Sequence, residues 1–303
     1  MTYSNLPNIN ESVLSALDFF VKNKPPRLNL KNFSFPIVVG SGNAFHTGQI
    51  IFSGQPAIIV SESNFKKTLI GYKKLLNNKT ITQAVIISAS GEKDSVWEIK
   101  LAKKNKLKTT LLTCNANSSA AKLADQVIVY QKLPEPYTYN VSTYLGMILS
   151  ANNEEARGIK EFIKTLKLPL NFKKYSAYSF ILPDEFASLA PMLEIKRNEL
   201  FGPYLSLRAF SFGEARHAKF VNLSSKELII SLGTNEYFGL KNNRLEIKIP
   251  KKAGSSFVMA LTYYLIGKIQ EAKPPYFKKN IKLFCENAPQ TYGEKKSFPI
   301  IVN

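Results

Sequence analysis

Apolar positions follow two periods along this chain. Short β-branched runs at 35–39, 57–60, 84–88, 109–113 and 126–130 predict strands. Between them, apolar residues recur every three or four positions and predict helices at 65–76, 95–106 and 139–150, with a short one at 118–123. A leading helix is expected over 10–22, where Val13, Leu17, Phe20 and Val21 share one face and Pro25-Pro26 ends it. Strands alternating with helices call for a doubly wound, mostly parallel sheet. The polar stretch 151–155 reads as a join. Beyond it the theme returns: helix 161–168, strand 179–182, helix 185–200, strands 205–210 and 228–232, an extended 244–249 and an apolar helix 255–271. A Pro- and Lys-rich tail over 274–303 closes the chain with at least one helical turn. The expectation is an α/β protein of two parallel-sheet halves, 1–153 and 154–303.

The most informative local string is Ser88-Ala89-Ser90-Gly91-Glu92-Lys93-Asp94-Ser95, set between a predicted strand and a predicted helix. Such a turn presents backbone N–H groups, serine hydroxyls and a helix N-terminus to an anion, and Lys93 adds a positive charge. It lies at the carboxyl end of a strand, where open α/β sheets take ligands. The same residues also suit an ordinary βα loop with a serine cap. Gly40-Ser41-Gly42-Asn43 forms a second loop, too short in glycines for a dinucleotide fingerprint and followed by no helix of clear length. No Gly-Lys-Ser or Gly-Lys-Thr string of the nucleotide-hydrolase kind occurs.

Charge changes the picture little. The 303 residues carry 41 Lys and Arg against 22 Asp and Glu, a net +19. A field of that sign attracts anions. The lysines are dispersed, however, in pairs such as Lys66-Lys67, Lys173-Lys174 and Lys278-Lys279, and no run forms a basic arm. A solvated surface rather than a nucleic-acid footprint is expected. Cys114 and Cys285 lack neighbours at metal-ligand spacing, so neither a metal nor a cofactor is expected, and the thiols suit a reducing compartment. Residues 1–10 are polar, and the longest apolar run, around 257–266, is too short to cross a bilayer. The expectation is a cytoplasmic protein that binds neither membrane nor nucleic acid.

Over about 110 residues the order of these strings resembles that of the sugar isomerase (SIS) family, best known from the isomerase half of glucosamine-6-phosphate synthase. The family's Gly-Thr-Ser-Tyr-His loop is matched by Gly42-Asn43-Ala44-Phe45-His46, and its Ser-Glu-Phe element by Ser61-Glu62-Ser63-Asn64-Phe65. Its Ser-Gln-Ser-Gly-Glu-Thr turn is matched by Ser88 to Lys93. Thr113 to Ala120, then Leu123-Ala124-Asp125, and finally Val141-Ser142-Thr143-Tyr144 follow in family order. The departures are Asn43 and Ala44 for Thr and Ser, and Lys93 for Thr.

The resemblance implies two flavodoxin-like SIS halves that meet in a homodimer and take a sugar phosphate. Ser88, Ser90, Lys93 and Ser95 would hold the phosphate, with Asn43 and Ser142 lining the sugar. It also implies an acid–base set. Glu199 closes Lys196-Arg197-Asn198-Glu199 at a helix end and would move a proton between C1 and C2. His217, in Gly213-Glu214-Ala215-Arg216-His217, would open the sugar ring, and Lys296 in the tail would steady an enolate-like intermediate. A carboxylate whose pKa is raised by burial and a histidine near neutrality suit those tasks. The activity implied is aldose–ketose isomerisation of a hexose 6-phosphate or an amino-sugar 6-phosphate. Amino-sugar-phosphate deamination and non-catalytic phosphosugar sensing are the alternatives.

Overall fold

The computed structural model describes residues 5–303; of the polar stretch read over 1–10, positions 1–4 lie outside the described residues. The chain forms two units, each with its own parallel sheet. Helix α1 (Ile9–Lys22) leads the chain. Residues 22–132 and 143–153 then build a unit around β1 (Ile37–Gly40), β2 (Ile58–Ser61), β3 (Gln83–Ile87), β4 (Lys108–Thr113) and β5 (Gln126–Val129). These strands lie in the order β2-β1-β3-β4-β5, all parallel, with Val39 opposite both Val60 and Ile86. This is the doubly wound order in which the direction of strand addition reverses between β1 and β3. All four β1 residues are buried, as a strand covered on both faces requires.

Helices α2 (Asn43–Ile51), α3 (Glu62–Gly71), α4 (Lys73–Asn77), α5 (Asp94–Lys104) and α6 (Val141–Ala151) connect and cover these strands. Phe65 and Leu69 of α3 and Ile99 and Ala102 of α5 pack with Ile37, Val39 and Ile86 in one core. On the opposite face Gly48 of α2 comes so close that a Cβ there would sit 3.0 Å from Val38 Cγ1 and 3.3 Å from Ile87 Cδ1.

Residues 5–21, 133–142 and 154–303 form the second unit. The short β6 (Glu135–Pro136) opens it, followed by α7 (Ala156–Thr165), β7 (Ala177–Leu182), a 3-10 turn and α8 (Ala190–Phe201). Then come β8 (Ser206–Ser211), α9 (Phe212–Ala218), β9 (Glu227–Leu232), β10 (Arg244–Ile247), α10 (Ser255–Ala272), α11 (Tyr276–Asn287) and β11 (Ile301–Val302). The sheet order is β10-β9-β7-β8, again parallel, while β11 pairs antiparallel with β6. Thirteen residues of α10 are buried. Its N-terminus is capped by the Glu154 carboxylate, which accepts from the Gly254, Ser256 and Phe257 amides at 2.6, 2.8 and 3.2 Å.

The predicted elements are largely present, with local differences: the helix expected over 65–76 is divided into α3 and α4, and α9 is a helix where none is expected. Residues 43–51 are helical although no clear helix is expected there. Residues 118–123 are a run of turns rather than a helix. Their donors are drawn away, since Ala120 N bonds to Gly91 O at 3.0 Å and Ser119 N to Glu92 Oε1 at 2.9 Å. The helix expected over 185–200 is split into a 3-10 turn, Asp184–Leu189, and α8, where Pro191 in the first turn offers no N–H.

Asp125 ties the start of β4 to the turn before β5. Its Oδ2 accepts from both the amide and the hydroxyl of Thr109 at 2.8 Å, and Oδ1 lies 2.8 Å from Lys103 Nζ. The lysine and the Thr109 amide hold its carboxyl at about 2, below the ordinary 3.8. The stabilisation is therefore complete above the unfolded value and is lost as the pH falls from about 4 to about 2. Acid unfolding followed by circular dichroism should show Asp125→Asn flattening the stability slope over that interval while leaving the neutral-pH slope unchanged. Parallel acid curves for the two proteins would refute the assignment.

Candidate functional site

The reversal of strand order places two loops at the carboxyl edge of the first sheet, after β1 and after β3. Each turns directly into a helix, and the two turns have almost the same backbone. Gly42, before α2, has φ 53° and ψ −121°, and Lys93, before α5, has φ 56° and ψ −119°. Glycine adopts these angles freely, whereas a lysine is strained there. The loops are joined by Ser41 Oγ donating to Asp94 Oδ2 at 3.5 Å.

The β3 turn gathers Ser88, Ser90, Lys93 and Ser95, the residues that sequence resemblance singles out. Gly91 (φ 65°) is required at its centre, because a Cβ there would stand 2.1 Å from Ser118 Oγ. Ser88 Oγ accepts from the Gly91 amide at 3.1 Å, and Ser90 Oγ accepts from the Glu92 amide at 3.3 Å. Because each hydroxyl serves as an acceptor there, its own proton is left to donate outward. Ser95 differs: it is 1% exposed and spends its proton on Glu92 O at 2.9 Å, so it braces the turn. The Lys93 side chain is exposed. Asn43 begins α2 across the reversal, 8% exposed, with its Oδ1 buried and lacking a hydrogen-bond partner among the described residues.

Acidic groups lie beneath this turn. Glu98, one helical turn beyond Asp94, is 1% exposed. Burial first, then Asp94 and Glu62, push its carboxyl up to about 8. Its carboxyl therefore holds a proton more strongly than a solvated one does.

The second unit holds the remaining sequence-predicted residues. Glu199 lies in the last turn of α8, and burial raises its carboxyl above the ordinary value, with Lys196 opposing. Lys196 is the residue that sequence reasoning missed. It is fully buried, its Nζ lies 2.6 Å from Glu199 Oε2, and it also donates to the Thr138 carbonyl. The available signal was a lysine three positions before the glutamate on a helix, a spacing that places the two side chains together. Glu199 retains 21% side-chain exposure while Lys196 retains none, so the carboxylate alone can meet a ligand.

His217 is exposed on α9, a helix begun by the Ser211–Glu214 capping box, and Lys296 is exposed beyond α11. Among the described residues no hydrogen bond or ion pair links Glu199, His217 and Lys296 to one another. Ser142 is fully buried; its hydroxyl accepts from Leu133 N at 2.9 Å and its amide donates to Glu135 Oε1 at 3.0 Å. These bonds close the 133–142 segment.

The strained backbone at Lys93 separates a stability role from a binding role. Lys93→Gly should raise stability in urea unfolding by about 1 kcal/mol, strain relief outweighing the extra freedom of glycine in the unfolded chain. The same variant should reduce thermal stabilisation by inorganic phosphate. Lys93→Ala, which keeps the strain, should lose the phosphate effect without gaining stability. Equal stability of the two variants would refute the strain account.

No sequence-family model matches the chain, and no curated protein matches it. Solved structures do. The C-terminal domain of glucosamine-fructose-6-phosphate aminotransferase from Francisella tularensis superposes with a TM-score of 0.60 at 13% identity, over 88% of this chain and 94% of that one. Glucosamine-6-phosphate deaminase from Thermotoga maritima gives 0.56 at 13% identity, over 86% and 91% of the two chains. Tagatose-6-phosphate ketose/aldose isomerase from Escherichia coli gives 0.53 at 13% identity, over 88% and 89%. The similarity at this identity is one of fold: this chain has the fold of the sugar isomerase (SIS) domain proteins.

Proposed function

We propose that this protein binds a sugar phosphate and interconverts its aldose and ketose forms, acting on a hexose 6-phosphate or an amino-sugar 6-phosphate. The observation that carries the reading is the β3 turn, where Ser88 and Ser90 keep their hydroxyl protons for an acceptor and Lys93 adds charge beside a helix N-terminus. The solved structures of similar fold support a phosphosugar ligand, since their names carry sugar 6-phosphates.

Isomerisation moves a proton between C1 and C2 of the open-chain sugar and one between its oxygens. No external oxidant or reductant enters the balance. Glu199 is the base in this reading. Its carboxyl, raised by burial, accepts a carbon-bound proton more readily than a solvated one, and the Lys196 ammonium opposes that rise. His217 opens the ring and Lys296 stabilises the developing enolate. A homodimer in the cytoplasm is part of the same proposal.

A second reading, binding without turnover, draws on particular observations: His217 and Lys296 are exposed, and Ser142 is fully buried with its amide bonded to Glu135. Deamination of an amino-sugar phosphate uses the same kind of base and is distinguished by ammonia release. The deciding measurement is proton NMR of the protein with fructose 6-phosphate in heavy water, with glucosamine 6-phosphate in parallel. New aldose signals or deuterium entry at C1 or C2, abolished in Glu199→Gln, are expected. Silence with both sugars, despite their stabilising the fold thermally, would replace the isomerase by a sensor.

A further inference from the structure

Among the described residues, Thr138 has an unusual backbone for its type. Its φ is +76°, a region that β-branched residues avoid, and Asn140, two residues on, follows with φ +48°. Strain of this kind persists only where the surroundings over-determine it. Here they do. Before it, β6 pairs with β11, and Tyr137 N donates to Ile300 O at 2.7 Å. The Tyr137 ring stacks on Phe298 at 5.0 Å. After it, Tyr139 N donates to Pro136 O at 3.0 Å, the Tyr139 hydroxyl donates to Pro7 O at 2.9 Å, and its ring lies 5.0 Å from Phe277.

The strained residue faces the buried lysine. Thr138 is 9% exposed, its hydroxyl has no hydrogen-bond partner among the described residues, and its carbonyl oxygen accepts from Lys196 Nζ. Asn140 Nδ2 approaches the same oxygen at 3.4 Å. A fully buried ammonium needs partners for its protons. Lys196 has two hydrogen-bond partners among the described residues, this carbonyl and Glu199.

We propose that Thr138 is a positioning residue, whose left-handed backbone aims its carbonyl oxygen at Lys196 and thereby holds the ammonium against Glu199. Without that second anchor the lysine would spread its contacts, and the carboxyl would lose part of the charge that favours its ionised form. The inference rests on Glu199 being the proton-moving group, but it is read without turnover.

The groups known to act on Glu199 are few. Lys196 lies on its own helix, and Tyr137 of the 133–142 segment interacts electrostatically with it, as Tyr137 does with Tyr292, Cys285 and Glu294. The experiment is carbon-13 NMR titration of the Glu199 carboxyl in the full chain, labelled at glutamate and assigned by Glu199→Gln. Thr138→Gly keeps the left-handed backbone without strain and removes the side chain. Thr138→Pro fixes φ at about −65° and turns the carbonyl away from Lys196. The proline variant, checked as folded by circular dichroism, should titrate about half a pH unit or more above the wild type, because a loosened Lys196 favours the ionised carboxyl less. The glycine variant should titrate with the wild type. A midpoint unmoved or lowered in the proline variant overturns the proposal. So does a displaced midpoint in the glycine variant, which would assign the effect to the lost threonine side chain. Absence of isomerase activity leaves this readout intact.

Discussion

Parallel pairing of β1 with both β2 and β3 is the constraint from which the candidate phosphate site follows. Parallel neighbours cannot be joined by a hairpin, so every link must cross a face of the sheet and return to the same edge. Because the chain leaves β1 toward one side and comes back on the other, the loops at 40–42 and 88–93 emerge next to each other. Their matching dihedral angles at Gly42 and Lys93 launch two helices, α2 and α5, from that edge. The serine hydroxyls, the Ser41–Asp94 bond and the tight seat of Gly91 are consequences of that arrangement.

Much of this was legible in the chain. Buried strands of a parallel sheet read as continuous β-branched runs, and each first-sheet strand lies within two residues of such a run. The turn after β3 was legible because its signal is local: serines, a glycine and a strand before a helix. What was not legible depends on distant partners. Helix α2 contains Asn43, Thr47, Gly48 and two isoleucines, a weak helix former by composition, and it rests on the close packing of Gly48 against Val38 and Ile87. Residues 118–123 have helical periodicity but lose it to the turn at 91–92. Lys196 reads as a surface lysine until α8 is folded into its unit.

Two buried ionisable residues show how a chain of net charge +19 manages charge away from water. Lys196 has a carboxylate and a carbonyl for its ammonium. Glu98 has no such partner for Oε1 among the described residues, and its burial beside Asp94 and Glu62 raises its carboxyl instead. Pairing sustains a charge away from water, whereas burial without a partner favours the neutral form.

Helix α1 is fastened to α10 at short range. Ile9 N bonds to Gln270 Oε1 at 2.9 Å across 261 residues of sequence, and Gly267 must be glycine because a Cβ there would lie 2.1 Å from Asn10 N. The partners of α1 are therefore among the last parts of the described chain to leave the ribosome. At about 5–20 residues per second, α1 waits roughly ten to fifty seconds with Ile9, Val13, Leu17 and Phe20 uncovered. Completion of the second unit thus waits on residues near 270, and the nascent chain carries an amphipathic helix for chaperones to shield until then.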